Sequence, residues 1–387
     1  MQPSPVSLLV AFALTLGASG RPAGADEVGV SADTILFGQA AALGGPSSAL
    51  GQGMRQGILA AFAEINAKGG IHGRRLELIS RDDGYDPDRS VIATVKLIDD
   101  DKVFALIGAV GTPTSIATVP IAAEKNVPFI GPFTGAEFLR ASEYQNVVNI
   151  RASYSAEAEA WIKHLTEDLH LTNIAIFYQD DSFGRDGLAG VKAALARRGM
   201  ELAAEGTFER NTRAVGAAFK AIRRTEPQAV VMVGTYGPCA EFIKLAHRSG
   251  FNPTFVAISF VGATALAREL GADGNGVVVS EVVPFPWDTH LKLVADYQAA
   301  EKALDPSLTP DFVSLEGYLS ARLAADALDR AGPNPTRADM LRIINEVGRF
   351  DIGGDIISFG DKARKQPASV FLTVIQRDGS FKAVDKL

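Results

Sequence analysis

The chain has 387 residues and a formal net charge of −7; 47% of its residues are hydrophobic and 21% are charged. This composition is typical of a soluble globular protein, and the length favours two domains. No basic stripe or acidic cluster indicates a nucleic-acid partner, and the single cysteine, Cys239, excludes an internal disulfide.

The first 25 residues differ in kind from the rest. Residues 6–16 form an apolar run, and Ala23, Gly24 and Ala25 form an A-x-A site directly before Asp26. This arrangement predicts a secretory signal peptide that is cleaved after Ala25. The run is shorter than the ~20 residues that a membrane span needs. Because no Lys or Arg precedes the run, a disordered N-terminus or a membrane anchor is the alternative.

The first predicted strand leads into a helix through a loop of small residues. The strand is expected at 34–42 and the loop at 44–51, and the helix ends at Gly69 and Gly70. The first N–H groups of a helix have no partner within the helix. We therefore expect this loop to lie against an anionic group of a ligand.

Gly51, Gly53 and Gly57 form a GxGxxxG pattern that is close to a dinucleotide-binding fingerprint. In that fingerprint the first glycine follows the strand directly, because it makes the tight turn onto the pyrophosphate. Here a loop of roughly eight residues intervenes. The pattern therefore favours close packing of Gly57 against another helix over nucleotide binding.

The remaining chain alternates strands with helices, which predicts parallel sheets covered by helices on both faces. Further strands are predicted at 76–80, 103–107, 127–130, 174–178, 229–233, 255–258, 357–359 and 370–375. Further helices are predicted after Asp86, at 116–125, 161–168, between Asp186 and Gly199, and at 241–249, 291–304, 312–330 and 337–347. Small and hydroxyl residues follow several strands, where ligands bind in open α/β sheets. Two such sheets facing each other would form a cleft.

No catalytic chemistry is recognisable in the sequence. It contains no HExxH, P-loop or G-x-S-x-G pattern, and its five histidines are scattered. We therefore predict no catalytic residue, no metal and no cofactor. Asp82–Asp83 and Asp180–Asp181 are carboxylate pairs that follow strands. Helix capping and loop hydrogen bonds explain them more simply than acid–base catalysis.

Six short segments follow one another in a specific order. They read NAKGGI at 66–71, RDDGYDPDRSV at 81–91, GAVGTPTS at 108–115, GPFTGAEFLR at 131–140, DDSFGRDGLAGV at 180–191 and GTYG at 234–237. In this order they resemble the Leu/Ile/Val-binding family, the exported solute-binding proteins of ABC transporters. The resemblance covers essentially everything after Ala25, and it is specific for the family but not for the ligand.

The resemblance implies an α/β fold of two doubly wound parallel-sheet lobes joined by three crossover strands, the type I periplasmic binding fold. Residues 1–25 would be the signal peptide, 26–151 with 282–357 the first lobe, and 152–281 with 358–387 the second. The crossings are expected near Arg151, Glu281 and Ile357. Hinge closure around a ligand is typical of periplasmic binding proteins.

The resemblance also implies seven ligand-binding residues. They are Leu50, Thr112, Thr134, Phe183, Tyr236, Ser259 and Phe312. Thr112 and Thr134 match hydroxyl positions that hold the ligand carboxylate together with backbone N–H groups, although either could simply cap a helix. Phe183 and Tyr236 match aromatic positions of the second lobe, with core packing as the alternative.

Ser259 departs from the family pattern, because amino-acid binders carry an acidic residue there for the α-ammonium group. A buried ammonium needs a paired charge, and leaving it unpaired costs several kcal/mol. We therefore predict a small carboxylate ligand without an α-amino group, such as an aromatic, keto or hydroxy acid. Asp180, Asp181 or Glu281 could supply the missing charge if they reach the cleft.

The predicted protein is a monomeric periplasmic receptor, not an enzyme, that closes on its ligand and delivers it to an ABC permease in the inner membrane. The alternatives are a true Leu/Ile/Val-type amino-acid binder and a ligand sensor for a separate signalling partner. A dinucleotide-dependent enzyme is the least favoured reading.

Removal of the signal peptide is directly testable. Because the A-x-A site ends at Ala25, the mature protein should begin at Asp26. Mass spectrometry of periplasmic extract should find this N-terminus. Exported protein that retains Met1 would contradict the prediction.

Overall fold

The computed structural model describes residues 27–352, 355–358 and 369–384. The predicted signal peptide lies outside these residues, as does the end of the strand predicted at 357–359. The strands are β1 (Thr34–Ala41), β2 (Arg75–Asp82), β3 (Ala105–Ile107), β4 (Phe129–Ile130), β5 (Val147–Val148), β6 (Ile174–Gln179), β7 (Ala204–Phe208), β8 (Ala229–Val233), β9 (Thr254–Ala257), β10 (Val278–Glu281), β11 (Arg349–Ile352), β12 (Asp355–Ser358), β13 (Phe371–Ile375) and β14 (Phe381–Ala383). The helices are α1 (Ser48–Ala67), α2 (Pro87–Val95), α3 (Thr112–Glu124), α4 (Tyr154–Lys163), α5 (Ser182–Ala196), α6 (Gly216–Arg223), α7 (Tyr236–Arg248), α8 (Ala263–Leu270), α9 (Lys292–Leu304), α10 (Phe312–Ala331) and α11 (Arg337–Val347).

The strands form two separate sheets and a hairpin. The first sheet has the order β2-β1-β3-β4-β5, and all its neighbours are parallel. The second has the order β14-β13-β10-β9-β8-β6-β7, in which β13 and β14 are antiparallel additions at one edge. Central strands such as β8 are apolar and buried along their whole length, as expected where helices cover both faces of a parallel sheet.

Several helices begin earlier than the sequence predicted, and two of them, α3 and α7, begin at predicted site residues. α3 starts at Thr112 and α7 at Tyr236, where the prediction had loops. Pro113 and Pro238 lie in the first turns of these helices, where proline is tolerated because the N–H group it lacks has no partner there. Thr112 and Tyr236 are therefore the first residues of α3 and α7. The elements that were not predicted from the sequence are β5, β7, β10, β11, β14, α6 and α8.

Gly57 brings α1 into backbone contact with α10. A Cβ atom at Gly57 would lie 1.7 Å from the carbonyl oxygen of Ser314, and one at Gly317 would lie 2.3 Å from that of Met54. Two helices can approach this closely only where side chains are missing at the crossing. This confirms helix packing, rather than nucleotide binding, as the role predicted for Gly57. The crossing attaches α10 to the helix that follows β1.

Replacing Gly57 tests this contact. Alanine normally stabilises a helix relative to glycine by up to about 1 kcal/mol, but Gly57→Ala should destabilise the protein by about 1–3 kcal/mol or more, because the added methyl group overlaps α10. Denaturant unfolding measures the difference. Gly216→Ala is the matched control, since its Cβ would meet no atom within 4 Å. Equal stability of Gly57→Ala and the parent protein would show that the crossing can relax.

Candidate ligand-binding site

The loop between β1 and α1 binds a carboxylate of the protein itself. The amides of Leu43 and Gly44 each donate to Asp82 Oδ1 at 2.9 Å, and that of Gly84 donates to it at 3.0 Å. Partial burial raises the pKa of Asp82, but the hydrogen bonds from these amides and from Arg89 lower it by more, so that the pKa lies below its usual range. These amides therefore do not face a ligand anion as predicted, because Asp82 already occupies them.

The other carboxylates of the two predicted pairs also have structural partners. Asp83 accepts from the Tyr85 amide at 2.8 Å and from Ser90 Oγ at 2.9 Å. Asp181 caps α5 by accepting from the Phe183 amide at 3.0 Å, and Asp180 pairs with Arg185. Capping and loop hydrogen bonds are confirmed as the explanation of these pairs.

Thr112 and Thr134 form a chain of buried hydroxyl groups that ends at Tyr154. The Thr112 and Thr134 Oγ1 atoms are 2.7 Å apart, and Tyr154 Oη is 3.0 Å from Thr134 Oγ1. All three residues are at most 1% exposed. Burial raises the pKa of Tyr154, although the charge of Arg151 lowers it. These protonated hydroxyls, beside the N-terminus of α3, are donors suited to one negative charge.

Phe183 belongs to an aromatic cluster that lies between the two sheets. Its ring centroid is 4.6 Å from that of Phe260 and 5.4 Å from that of Tyr154. Phe260 also contacts Tyr85 and Phe133, with centroids 5.9 and 5.3 Å apart. Tyr85 and Phe133 follow strands of the first sheet, whereas Phe183 and Phe260 follow strands of the second. The cluster is therefore an apolar wall shared by both halves of the molecule.

Ser259 is held by a buried carboxylate. Glu157, on α4, accepts from the Ser259 amide and hydroxyl, both at 2.9 Å, and from Ser280 Oγ at 2.5 Å. Arg151 donates to the Ser259 hydroxyl from the other side, and its Nη2 atom is 3.8 Å from Glu157 Oε1. The hydrogen-bonding groups of Ser259 are thus directed at charged side chains of the protein.

Two further acids lie near the same guanidinium. Arg151 Nη1 is 3.6 Å from Glu316 Oε1, which is longer than a hydrogen bond. Burial raises the pKa of Glu316 to about 7 and that of Glu281 well above its usual range, and the charge of Arg151 opposes both increases. Within the described part of the chain, Nε and Nη1 of Arg151, Oε1 of Glu281 and Oε1 of Glu316 have no hydrogen-bond partner.

Leu50 and Tyr236 meet near Ser259, at Gly262. A Cβ atom at Gly262 would lie 2.6 Å from Leu50 Cδ2 and 3.9 Å from Tyr236 Cδ1. The Ala49 amide, in the first turn of α1, donates to Tyr236 Oη at 3.4 Å. Here too, residues of the first-sheet half contact residues of the second.

Phe312 lies in a different group of side chains from the other six predicted residues. Its ring centroid is 5.5 Å from Trp287, 5.6 Å from Phe381 and 6.0 Å from Phe285. It lines a cavity of about 110 Å³ beside β13. In this structure its ring contacts do not include the hydroxyl chain or the aromatic wall.

The sequence analysis missed several residues of this site. They are Tyr85, Phe133, Arg151, Tyr154, Glu157, Phe260 and Glu316. The two glutamates could have been found from the sequence, because each lies on the apolar face of its helix. Glu157 alternates with the buried Tyr154, Ala158 and Trp161 at helical spacing. A charged residue in such a position must find a buried partner.

Glu157 offers a stability test of the network. Glu157→Ala should lower the free energy of unfolding by about 3–5 kcal/mol, because it removes a carboxylate 3.8 Å from the buried Arg151 and leaves Ser259 and Ser280 without their acceptor. Glu159→Ala, two residues along α4, is the control: Glu159 and its partner Arg197 are exposed and Arg198 is partly exposed, and an exposed ion pair contributes at most about 1 kcal/mol. Similar losses in the two variants would contradict this role of Glu157.

Across the described ranges, no group of three or more His, Cys, Asp and Glu side chains could hold a metal ion. Among the same residues, no helix is both long and apolar enough to cross a bilayer.

Known proteins of similar sequence and structure identify the family. The family model described as "Periplasmic binding protein" matches residues 34–380. The leucine-, isoleucine-, valine-, threonine-, and alanine-binding protein of Pseudomonas aeruginosa is 24% identical, over 87% of this chain and 91% of its own length. The structure of a possible leucine/isoleucine/valine-binding protein from Rhodopirellula baltica SH 1 is 39% identical and has a TM-score of 0.86, covering 91% of this chain and 96% of that one. A substrate-binding periplasmic protein from Ralstonia solanacearum is 26% identical with a TM-score of 0.85, covering 90% and 100% of the two chains.

These relatives confirm the predicted type I periplasmic binding fold. They also confirm that the chain is a binding protein and not an enzyme. The chain belongs to the periplasmic binding protein family, in the group of the Leu/Ile/Val-binding proteins.

Proposed function

We propose that this protein is the exported receptor of an ABC importer and that it closes on a small carboxylate without an α-amino group. The observation that carries the proposal is the environment of Ser259, whose amide and hydroxyl are bound by Glu157 and Arg151. The protein would consist of two lobes with the ligand between them. Residues 26–151 and 282–357 would form the first lobe, and residues 152–281 and 358–387 the second.

The hydroxyl chain supports a carboxylate at one end of the ligand. Thr112, Thr134 and Tyr154 provide three neighbouring O–H groups, and Thr112 begins α3. Helix N-termini favour negative charge, by roughly 0.3–1 kcal/mol at exposed sites and more where water is excluded. Binding a carboxylate would require these hydroxyls to turn from one another towards the ligand.

The surroundings of Ser259 do not favour an ammonium group. The acid nearest to it, Glu157, already accepts three hydrogen bonds and lies opposite Arg151. An ammonium placed here would be close to the buried guanidinium, and two positive charges repel strongly where water is excluded. A carboxylate ligand with an apolar remainder avoids this repulsion. The rings of Phe183 and Phe260 offer that remainder an apolar or aromatic surface.

An amino-acid ligand is the second candidate, and a specific observation favours it. Glu281 Oε1 and Glu316 Oε1 are buried without a hydrogen-bond partner among the described residues. If both carboxyl groups ionised, they could receive an ammonium. Relatives at 22–24% identity bear names such as leucine-specific-binding protein, which is consistent with this alternative.

The site of action and the partners of the protein form part of the proposal. A cleaved signal peptide would direct the protein to the periplasm, and a separate permease would receive the ligand from the closed monomer. A role as ligand sensor for a signalling partner would use the same closure and remains the alternative to transport.

Calorimetry with paired ligands tests the ligand class. The pairs are leucine with 4-methyl-2-oxopentanoate and phenylalanine with phenylpyruvate, which differ only at the α-substituent. We expect micromolar or tighter binding of at least one oxo acid and none of its amino acid. Binding of leucine at this affinity, with none of its oxo acid, would establish the amino-acid alternative instead.

A further inference from the structure

We propose that Arg151 binds the ligand directly and that it recognises a second oxygen acceptor beside the carboxylate, as in a 2-oxo or 2-hydroxy acid. This inference rests on the proposed function and narrows its ligand class. From the sequence, Arg151 was expected only to mark the boundary between the two lobes.

Arg151 is a buried cation whose donors are only partly used. Its side chain is fully buried and its Nη2 atom donates to Ser259. Nε and Nη1 have no acceptor within the described ranges. A guanidinium carries five N–H donors, of which three belong to these two nitrogens. Buried donors without acceptors are destabilising, and native structures rarely retain them.

The neighbouring carboxylates do not satisfy these donors. Glu316 Oε1 is 3.6 Å from Nη1, beyond hydrogen-bond distance, and Glu157 is held in place by Ser259 and Ser280. The other face of the guanidinium lies 4.7 Å from the ring centroid of Phe133, which can donate and accept no ordinary hydrogen bond. No acceptor among the described residues reaches these donors, and a bound molecule with a suitable oxygen would supply one.

The guanidinium and the hydroxyl chain lie within reach of one small molecule. Arg151 covers Phe133, and the next residue, Thr134, bonds to Tyr154. Tyr154 follows Arg151 by three residues and experiences its charge. A ligand whose carboxylate binds the hydroxyls therefore has its adjacent atoms near Arg151. An oxo or hydroxyl oxygen there can accept from Nε or Nη1, whereas an ammonium has no lone pair to offer.

The test compares two acids that differ by one oxygen. Calorimetry of the parent protein with 4-methyl-2-oxopentanoate and with 4-methylpentanoate should show about 10- to 100-fold tighter binding of the oxo acid, because a hydrogen bond to a charged donor is lost in its partner. In Arg151→Met the oxo acid should lose this advantage, so that the two affinities converge.

Two further variants guard against a purely structural effect. Arg322→Met removes a partly buried arginine that pairs with Glu64 and Tyr318, away from the site, and should keep the preference for the oxo acid. Arg151→Lys retains the charge but loses the Nε–H donor, so it should reduce the preference without abolishing it. It also serves if Arg151→Met does not fold, which thermal unfolding followed by circular dichroism will show.

Several results would overturn the inference, and they separate it from the proposed function. Equal binding of both acids by the parent protein would show that no second acceptor is recognised, while the proposed function as a carboxylate receptor would stand. Equal weakening of both acids by Arg151→Met would mean that Arg151 pairs with the carboxylate itself. Unchanged preference in that variant would exclude Arg151 from the contact. Binding of leucine alone would overturn both proposals.

Discussion

The rest of the binding site depends on the buried carboxylate of Glu157. It accepts hydrogen bonds from Ser259 and Ser280 and lies opposite Arg151. These partners come from the turn after β9, from β10 and from the segment after β5, while Glu157 itself is on α4. An ion removed from water costs several kcal/mol unless such partners compensate. One charge therefore fixes the position of the chain around residues 151–157 relative to Ser259 and to Ser280, which is 123 positions from Glu157.

Much of the fold is visible in the sequence because its strands and helices have different apolar periods. The fully buried strand at 229–233 and the helix at 337–347 were predicted with the bounds that the structure shows. Errors arose where one signal has two meanings: Pro113 and Pro238 can end a structured segment or occupy the first turn of a helix. Strands of two residues, such as β5, have too few positions for any period to be recognised.

The site was predictable only in part, and the reason is physical. The resemblance to the Leu/Ile/Val-binding family implied Thr112, Thr134 and Phe183, and each of them follows a strand, where ligands bind in open α/β sheets. The charged network was not predictable, since Glu157 and Ser259 are 102 positions apart and their contact depends on the tertiary packing that brings α4 to the turn after β9. Of the three acids that could supply the missing charge, Glu281 is buried, whereas Asp181 caps a helix and Asp180 pairs with Arg185.

The two halves of the molecule are also joined by hydrogen bonds between their own side chains. Gln179 donates to Tyr85 Oη at 3.2 Å, Thr264 donates to Asp311 at 2.8 Å, and the Glu137 amide donates to Asp186 at 2.9 Å. If the halves open and close around a ligand as proposed, each bond lowers the free energy of the closed arrangement by an amount that is the same for every ligand. A ligand with weak contacts then needs to contribute less to keep the halves together. These bonds set a common baseline of affinity, above which only the contacts inside the cleft can distinguish one solute from another.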